Sequence, residues 1–274
     1  MTPLPTSGPG LPLANLLWRY CTQYVNAHDF DACDDVIVPD YRLLRGDAEL
    51  VGRDGGYKPE AQRECRNTPD LELLVRRVVT DGERIAMHFV EHGASVRHER
   101  RGSTWDGVGL YRWDGERLTE CRVEEDYYSR REQLAGGEPN PLGALAPAPW
   151  AVDAVPADPG AVDAVRRWVA GDPLAPGGPV ALDDVAHRGH RQPRLVDGEV
   201  VAFDAFAAGG AVAVWARFEG EYRGGLPGVD DEVARGRRVV DSLSGIVDVA
   251  DGEVRGGAAV TDRIGVLRAL RPPR

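Results

Sequence analysis

The chain has 274 residues, enough for two domains of ordinary size, and 42% of them are hydrophobic, as in a typical globular protein. The formal net charge of −11 argues against nucleic acid or an anionic membrane as a partner and leaves small ligands open. No apolar run approaches the roughly 20 residues of a membrane span. The four cysteines form no Cys-x-x-Cys pair, so we expect reduced thiols in a cytoplasmic protein and no metal site.

Residues 1–10 are expected to be a disordered leader, and the first domain is expected over 11–136. It opens with a helix in which Leu13, Leu17 and Tyr24 recur at helical spacing. A second short helix ends at Pro39, and a strand is predicted at 40–46. A third helix follows Pro59. The sequence then predicts four strands and a last helix, at 71–80, 84–93, 103–113, 117–126 and 128–134.

Residues 137–159 are rich in Pro and Ala and predict an extended linker. A second domain is predicted over 160–271, opening with a helix at 161–172 and continuing with strands. Helices followed by an antiparallel meander and a terminal helix indicate the α+β class. We therefore predict two tandem cone-shaped α+β barrels, each a curved, mostly antiparallel sheet wrapped on its N-terminal helices. Such a cone offers a pocket for a small molecule.

The two predicted domains end alike. Residues 107–134 and 243–270 each read as strand, Asp-Gly turn, strand, aspartate and helix, with Asp126 and Asp262 at matching places. Alternation along a strand predicts that Glu120, Arg122 and Glu124 share a face with Asp126. The matching face of the second domain carries Val254, Ala258 and Val260. The first cone is thus predicted to have an ionisable floor and the second an apolar one.

The stretch 211–270 resembles the SnoaL-like polyketide cyclases of the nuclear transport factor 2-like superfamily, and the first domain resembles them more distantly. The family pattern near the last strand, D-G-x-I-V-E-H-W-x-V-x-D, compares with DGERLTECRVEED ending at Asp126 and with DGEVRGGAAVTD ending at Asp262. In the first copy Glu120 matches the Glu and Cys121 replaces the His. In the second copy only the aspartate remains. The resemblance implies the fold, no cofactor and acid/base chemistry in the first domain.

We predict Asp126 as the principal acid/base, assisted by Glu91 and Arg122, an arrangement that imitates the Asp-Arg-Asp set of the related limonene epoxide hydrolases. Carboxyl groups and an Arg in one concavity suit this chemistry, because burial and like charges separate their pKa values. His88 is a further candidate base. Candidate substrate-binding residues are Tyr41, Phe89, Trp105, Glu124 and Trp18.

Other interpretations of the same residues stay open. Asp126 and Asp262 each precede a helix and would serve as N-caps. Glu120 and Glu124 fit a solvated strand face, and His88 fits a structural role. A β-bulge would reverse the face of part of the strand.

The sequence therefore predicts a cofactor-independent enzyme of bacterial secondary metabolism, such as antibiotic biosynthesis, with a small, mostly apolar substrate. The expected type is a cyclase or isomerase. An epoxide hydrolase or epoxide-opening cyclase is one alternative, and a non-catalytic binding or resistance protein is another. We expect no nucleic acid and no membrane as partners. The two domains are expected to pair within the chain, with a homodimer as a further alternative.

Overall fold

The computed structural model of the protein describes residues 10–271, so the leader predicted at 1–10 lies outside the described residues except for Gly10. The first half contains four helices and five strands in the predicted order, together with a sixth, short strand at 48–51. These elements are α1 (Pro12–Arg19), α2 (Ala32–Val36), β1 (Ile37–Arg45), β2 (Ala48–Val51), α3 (Lys58–Asn67), β3 (Glu72–Thr80), β4 (Arg84–Ser95), β5 (Arg101–Trp113), β6 (Leu118–Glu125) and α4 (Tyr127–Leu134).

Three short helical turns complete this half, two of π type at Tyr20–Val25 and Arg53–Tyr57 and one 3-10 turn at Val96–His98. The second half follows the same plan with fewer helical residues. Its elements are α5 (Ala161–Ala170), β7 (Ala181–Leu182), α6 (Val185–Arg188), β8 (Leu195–Ala208), β9 (Ala211–Tyr222), α7 (Asp231–Ala234), β10 (Arg238–Ala250), β11 (Glu253–Thr261) and α8 (Arg263–Leu270).

Local sequence explains the first helix and the two that end the halves. Helix α1 begins at Pro12, whose fixed φ suits the first helical turn, and buries Leu13, Leu16 and Leu17. Helices α4 and α8 are each capped by the aspartate that precedes them. The Asp126 carboxylate accepts from the Ser129 N–H at 3.0 Å. That of Asp262 accepts from the Gly265 N–H, also at 3.0 Å.

Each half forms its own sheet. The first has the strand order β2-β1-β6-β5-β4-β3 and the second has the order β7-β11-β10-β9-β8. All pairings are antiparallel except β1 with β6 and β7 with β11. The predicted α+β class with two separate, mostly antiparallel sheets is confirmed. Neither sheet closes, because β2 and β3 are the edges of the first and β7 and β8 those of the second. The predicted barrels are therefore open sheets.

The helices pack on one face of each sheet, and the other faces of the two sheets pack against each other. Leu17, Tyr41 and Met87 belong to the first helix–sheet core, which also contains Leu118. The apolar cluster between the sheets joins strands β3, β4 and β5 to strands β8–β11. Its buried members are Val79, Ala86, Val108, Leu110, Phe206, Ala213, Trp215, Ile246 and Val260. The layers are therefore helix, sheet, sheet and helix.

A β-bulge interrupts β6 at Thr119. In the pairing with β5, Leu118 lies opposite Trp113, whereas Glu120 lies opposite the adjacent Arg112, so Thr119 is the extra residue. Strand β11 has the same irregularity at Arg255, between Val254 and Gly256. Because a bulge shifts the alternation by one residue, the strand faces predicted beyond these points are reversed.

The first sheet is built from residues 37–125 and the second from residues 181–261. Between α4 and α5 the structure has no helix and no strand, apart from an isolated bridge of Ala157 with Gly209. The exact domain and linker boundaries stay a prediction. Among the described helices, none combines the length and apolar character that crossing a membrane requires.

Candidate functional site

A cavity of about 350 Å³ lies between the helices and the sheet of the first half. Its wall contains five tyrosines, and Phe89, Leu73 and Val123 add apolar surface. The hydroxyl oxygens of Tyr20 and Tyr57 are hydrogen-bonded at 2.7 Å. Burial raises the pKa of both phenols well above the usual value, so they stay neutral. The five tyrosines are Tyr20, Tyr24, Tyr57, Tyr111 and Tyr127. The cavity therefore offers aromatic surface to the apolar part of a small ligand and polar side chains to its polar groups.

Three carboxyl residues line this cavity from strands β4 and β6, namely Glu91, Glu124 and Glu125. Glu91 follows Phe89 on the inward face of β4, as the alternation predicts, and Glu125 is the last residue of β6. Burial is the main cause that raises the pKa of Glu91 well above its ordinary value, and the charge of Glu125 raises it further. A hydrogen bond between the carboxyl groups of Glu91 and Glu125 also raises the pKa of Glu91. The geometry therefore favours a neutral Glu91 beside Glu125.

Glu125 is oriented by two donors. The Arg45 Nη1 lies 3.4 Å from one carboxylate oxygen, and the Trp105 indole N–H donates to the other at 3.3 Å. Arg45 also donates to the Tyr127 hydroxyl at 3.0 Å, and its guanidinium carbon is 5.0 Å from the centre of that ring. The site thus combines a neutral Glu91 with a Glu125 carboxyl group whose two oxygens are each oriented by a donor.

Arg130 of α4 lies behind this pair. Its guanidinium carbon is 4.0 Å from the centre of the Trp105 ring, and the side chain donates to Glu64 and to Thr68. The charge of Arg130 partly offsets the rise in the pKa of Glu91. Trp105 is therefore packed between Arg130 and the carboxylate of Glu125, which fixes the direction of its N–H.

Of the predicted acid/base residues, Glu91 alone lines the cavity. His88 lies on the opposite face of β4, where its Nε2 is 3.2 Å from the Asp106 carboxylate. Arg122 points toward the second sheet. Its Nε donates to Glu120 at 2.9 Å, and its guanidinium carbon lies 4.8 Å from the centre of the Trp215 ring.

Asp126 is buried between the two halves, outside the cavity. Its carboxylate forms an ion pair of 2.5 Å with Arg263 at the start of α8. Arg263 is also 3.0 Å from Asp184 and 3.5 Å from Asp183. Burial raises the pKa of Asp126 to about 7, against the lowering effect of Arg263. The structure thus places Asp126 in a charged cluster that joins the halves.

The bulge at Thr119 is the physical reason for these placements. Leu118 faces the first core, but after the extra residue Cys121, Val123 and Glu125 take the inward face instead of the predicted even-numbered residues. The prediction that these residues form the floor of the first cone is therefore wrong for Glu120, Arg122 and Asp126, whereas Glu124 borders the cavity.

The predicted substrate-binding residues are divided among three places. Phe89 lines the cavity. Glu124 borders it, but its carboxylate accepts from the Gly46 N–H at 3.1 Å and from the Trp215 indole N–H at 3.2 Å. Tyr41 is buried in the core behind the cavity wall.

Trp105 and Trp18 are not among the residues that form the cavity wall. Trp105 acts on the site through its hydrogen bond to Glu125, and Trp18 is half-buried on α1. Sequence reasoning missed Glu125 and Arg45. An unbroken alternation along β6 puts Glu125 on the outer face, and Arg45 carries no motif that marks it.

Within residues 10–271, no three His, Cys, Asp or Glu side chains are grouped so that they could hold a metal ion.

Residues 18–121 match the family described as the SnoaL-like domain. The matched stretch includes Arg45 and Glu91 and ends before Glu125. No curated protein matches the chain.

Among solved structures, a protein from Acidithiobacillus ferrooxidans proposed to be a polyketide cyclase is 21% identical, covers 45% of this chain and 95% of its own, and has a TM-score of 0.40. IdmH from Streptomyces antibioticus, also proposed to be a polyketide cyclase, is 21% identical over 44% of this chain and 97% of its own, with a TM-score of 0.39. An epoxide hydrolase from M. tuberculosis is 18% identical, covers 44% of this chain and 88% of its own, and has a TM-score of 0.38. Scores of this size do not separate one chemistry from another.

Proposed function

We propose that the first domain, whose residues 18–121 match the SnoaL-like domain family, is a cofactor-independent acid/base enzyme of bacterial secondary metabolism. It is of cyclase or isomerase type and acts on a small, mostly apolar carbonyl compound. The observation that carries this proposal is the pair of Glu91 and Glu125 in the tyrosine-lined cavity. Two carboxyl groups in unlike environments can divide the roles of acid and base.

In the proposed reaction, the Glu125 carboxylate removes a proton from the carbon beside the substrate carbonyl. The electron pair of that C–H bond moves to the carbonyl oxygen, and the neutral Glu91 donates its proton there, which gives an enol. In a β,γ-unsaturated ketone, Glu125 returns its proton to the γ-carbon while the O–H proton goes back to Glu91, which gives the conjugated isomer. In ring closure, the enol carbon attacks a second carbonyl carbon, the new alkoxide oxygen takes the proton from Glu125, and the enol O–H proton goes back to Glu91. Positioned carboxyl groups of this kind contribute roughly 10²- to 10⁴-fold to such a step.

Arg45 and Trp105 are positioning residues in this scheme. They hold the two oxygens of Glu125 in place, one through the Arg45 guanidinium and the other through the Trp105 indole N–H. Asp126, Arg122 and His88 take no part, since each is engaged outside the cavity. The raised pKa of Glu91 means that turnover falls as the pH rises through that pKa, because the acid form is lost.

The test is deuterium exchange at the carbon beside the carbonyl of 1-tetralone and related bicyclic ketones in heavy water, followed by proton NMR. We expect Glu125→Gln to lower the exchange rate by roughly 10²- to 10⁴-fold and to change ligand affinity little, because the amide cannot accept the proton. Glu120→Gln is the matched control, since it makes the same change on the outer face of the same strand. Equal rates in the wild type and Glu125→Gln would contradict the proposal and favour a binding protein.

Epoxide opening is a second candidate, favoured by the contact of Arg45 with Glu125, which gives a carboxylate–arginine–carboxylate set with Glu91. Here Glu125 would take a proton from water, the water oxygen would attack an epoxide carbon, and Glu91 would protonate the epoxide oxygen. Hydrolysis of styrene oxide in water labelled with heavy oxygen distinguishes the two, since only epoxide hydrolysis places the label in the product.

We propose a cytoplasmic location, which the four free cysteines support, since they form no disulfide.

A further inference from the structure

A second concavity of about 290 Å³ lies next to the cavity. Residues of both halves form it: Arg97 from the 3-10 turn, Arg130 and Arg131 from α4, and Arg268 from α8 of the second half. We call it the arginine groove. Glu64 is the carboxylate in its wall, and Glu64 is ion-paired with Arg130. Four arginines against one carboxylate make a locally positive site in a chain of net charge −11.

Most of this positive charge has no partner within residues 10–271. Arg97, Arg131 and Arg268 are exposed, and none of the ion pairs or side-chain hydrogen bonds described for these residues involves their guanidinium groups. Most surface arginines of the first half, such as Arg42 and Arg112, do pair with carboxylates. Three free cations side by side repel one another, and an anion in the groove removes that repulsion.

A buried donor in the same groove also lacks a partner. The Nε of Arg130 is inaccessible to solvent and has no acceptor, although its Nη2 donates to Glu64 and Thr68. An unmet buried donor of a charged group costs free energy, so Arg130 is not fully satisfied by Glu64 and Thr68. This observation is independent of the surface charge.

The groove continues into the cavity. Tyr127 and Ile264 border both spaces, as do Glu64 and Arg268. One ligand can therefore reach from the tyrosine-lined cavity into the arginine groove without crossing the protein wall.

We propose that the arginine groove binds an anionic group of the substrate, a phosphate ester or a carboxylate, while the apolar part of the same molecule occupies the cavity. This inference rests on the proposed function in that it calls the ligand a substrate. The preference of the groove for an anionic ligand does not require turnover. Arg268 makes the second half part of substrate selection. Arg268 lies six residues after Asp262, and the residue six after Asp126 is Glu132. The matching position on α4 therefore carries the opposite charge.

The test uses two fluorescent probes with the same aromatic body. One is 8-anilinonaphthalene-1-sulfonate, which carries an anionic group, and the other is the neutral N-phenyl-1-naphthylamine. We expect the double variant Arg131→Gln/Arg268→Gln to weaken the sulfonate by about 5- to 10-fold and to leave the neutral probe within about twofold, since two partly exposed charge contacts are lost. Both side chains are exposed, so the fold is retained.

The matched control is Arg235→Gln/Arg255→Gln, which removes the same net charge from exposed positions of the second half, away from the groove. Equal loss of sulfonate affinity in both double variants would show a general charge effect and overturn the proposal. So would a parallel loss of both probes in Arg131→Gln/Arg268→Gln. Probe binding needs no turnover, so the outcome stays separate from the failure of the proposed catalysis.

Competition identifies the anion. Inorganic phosphate that displaces the sulfonate probe at lower concentration than acetate supports a phosphate ester, and the reverse order supports a carboxylate. If neither phosphate nor acetate displaces the sulfonate probe more than sodium chloride does at equal ionic strength, the proposal of anion recognition is overturned.

Discussion

The two halves of the chain share one framework but carry different side chains in the interior. Each has the bulge in its last strand, at Thr119 and at Arg255, and each ends in an aspartate-capped helix. Glu91 lies opposite Trp105 in the first sheet, and Phe218 lies opposite the matching Asp241 in the second. Phe218 is buried in the second core. The framework is therefore compatible with either an acid or an apolar side chain at this position.

The last strands show the same contrast. Glu125 precedes the shared aspartate in the first half, and Thr261 precedes it in the second. Thr261 is buried and hydrogen-bonded to Asp183 through its N–H at 2.9 Å and its hydroxyl at 2.8 Å. Both shared aspartates therefore cap helices of the framework, whereas the two positions that differ are the ones proposed to carry the chemistry.

The largest expected effect comes from giving the first half the residues of the second. The exchange Glu91→Phe/Glu125→Thr removes both the acid and the base, so we expect exchange of ketone protons to fall by roughly 10⁴-fold, close to the rate without enzyme. Because Glu125→Thr leaves Arg45 without its carboxylate partner, we expect a lower thermal midpoint, and exchange is measured at a temperature where the variant is folded. Retained activity in the folded double variant would remove both residues from the mechanism.

A second test concerns the residue that follows the shared aspartate, which is Tyr127 in one half and Arg263 in the other. Arg263 is the buried cation for Asp126, Asp183 and Asp184, so Arg263→Met should lower the free energy of unfolding by about 3–5 kcal/mol. Urea unfolding measures the change.

Arg268→Met on the exposed face of the same helix is the control for that test, with an expected change within about 0.5 kcal/mol. If both variants lost the same small amount, the ion cluster would not join the halves.

The smallest effect concerns the pH dependence of stability. Burial raises the pKa of Asp126 from 3.8 to about 7. Its neutral form therefore stabilises the fold fully below about pH 4, and this contribution is lost as the pH rises to about 7. Because asparagine does not titrate, the stability of the wild type relative to Asp126→Asn should fall over this range, on the order of 2 kcal/mol. Unfolding by urea at pH 4, 5.5 and 7 measures it, and a constant difference would contradict the raised pKa.

Hydrophobic spacing and turn residues were sufficient to predict most helices and strands. The apolar spacing of the first helix, the prolines at 59 and 69, and the Asp-Gly turns mark the ends of elements, because these residues restrict φ or remove a donor. Pro39, by contrast, lies inside β1 and not at the end of the second helix. The short strands β2 and β7 were missed, since 48–51 and 181–182 carry no alternating apolar pattern.

The candidate site was predicted only in part. Glu91 follows three alternating apolar residues of β4, and the regular pairing of β4 with β5 preserves that face, so its inward direction could be predicted. The inward direction of Glu125 could not be predicted, because the extra residue Thr119 reverses the faces of the side chains that follow it. Nothing in the local sequence marks this bulge.

The sequence by itself determined the order of elements, the two-sheet organisation and the presence of ionisable residues on the last strand of the first half. The tertiary structure decided which of those residues face the cavity. It also decided that Asp126 pairs with Arg263, 137 residues further along the chain. The physical reason is that local spacing sets secondary structure, whereas a bulge and a distant counter-charge set the direction and protonation of each carboxyl group.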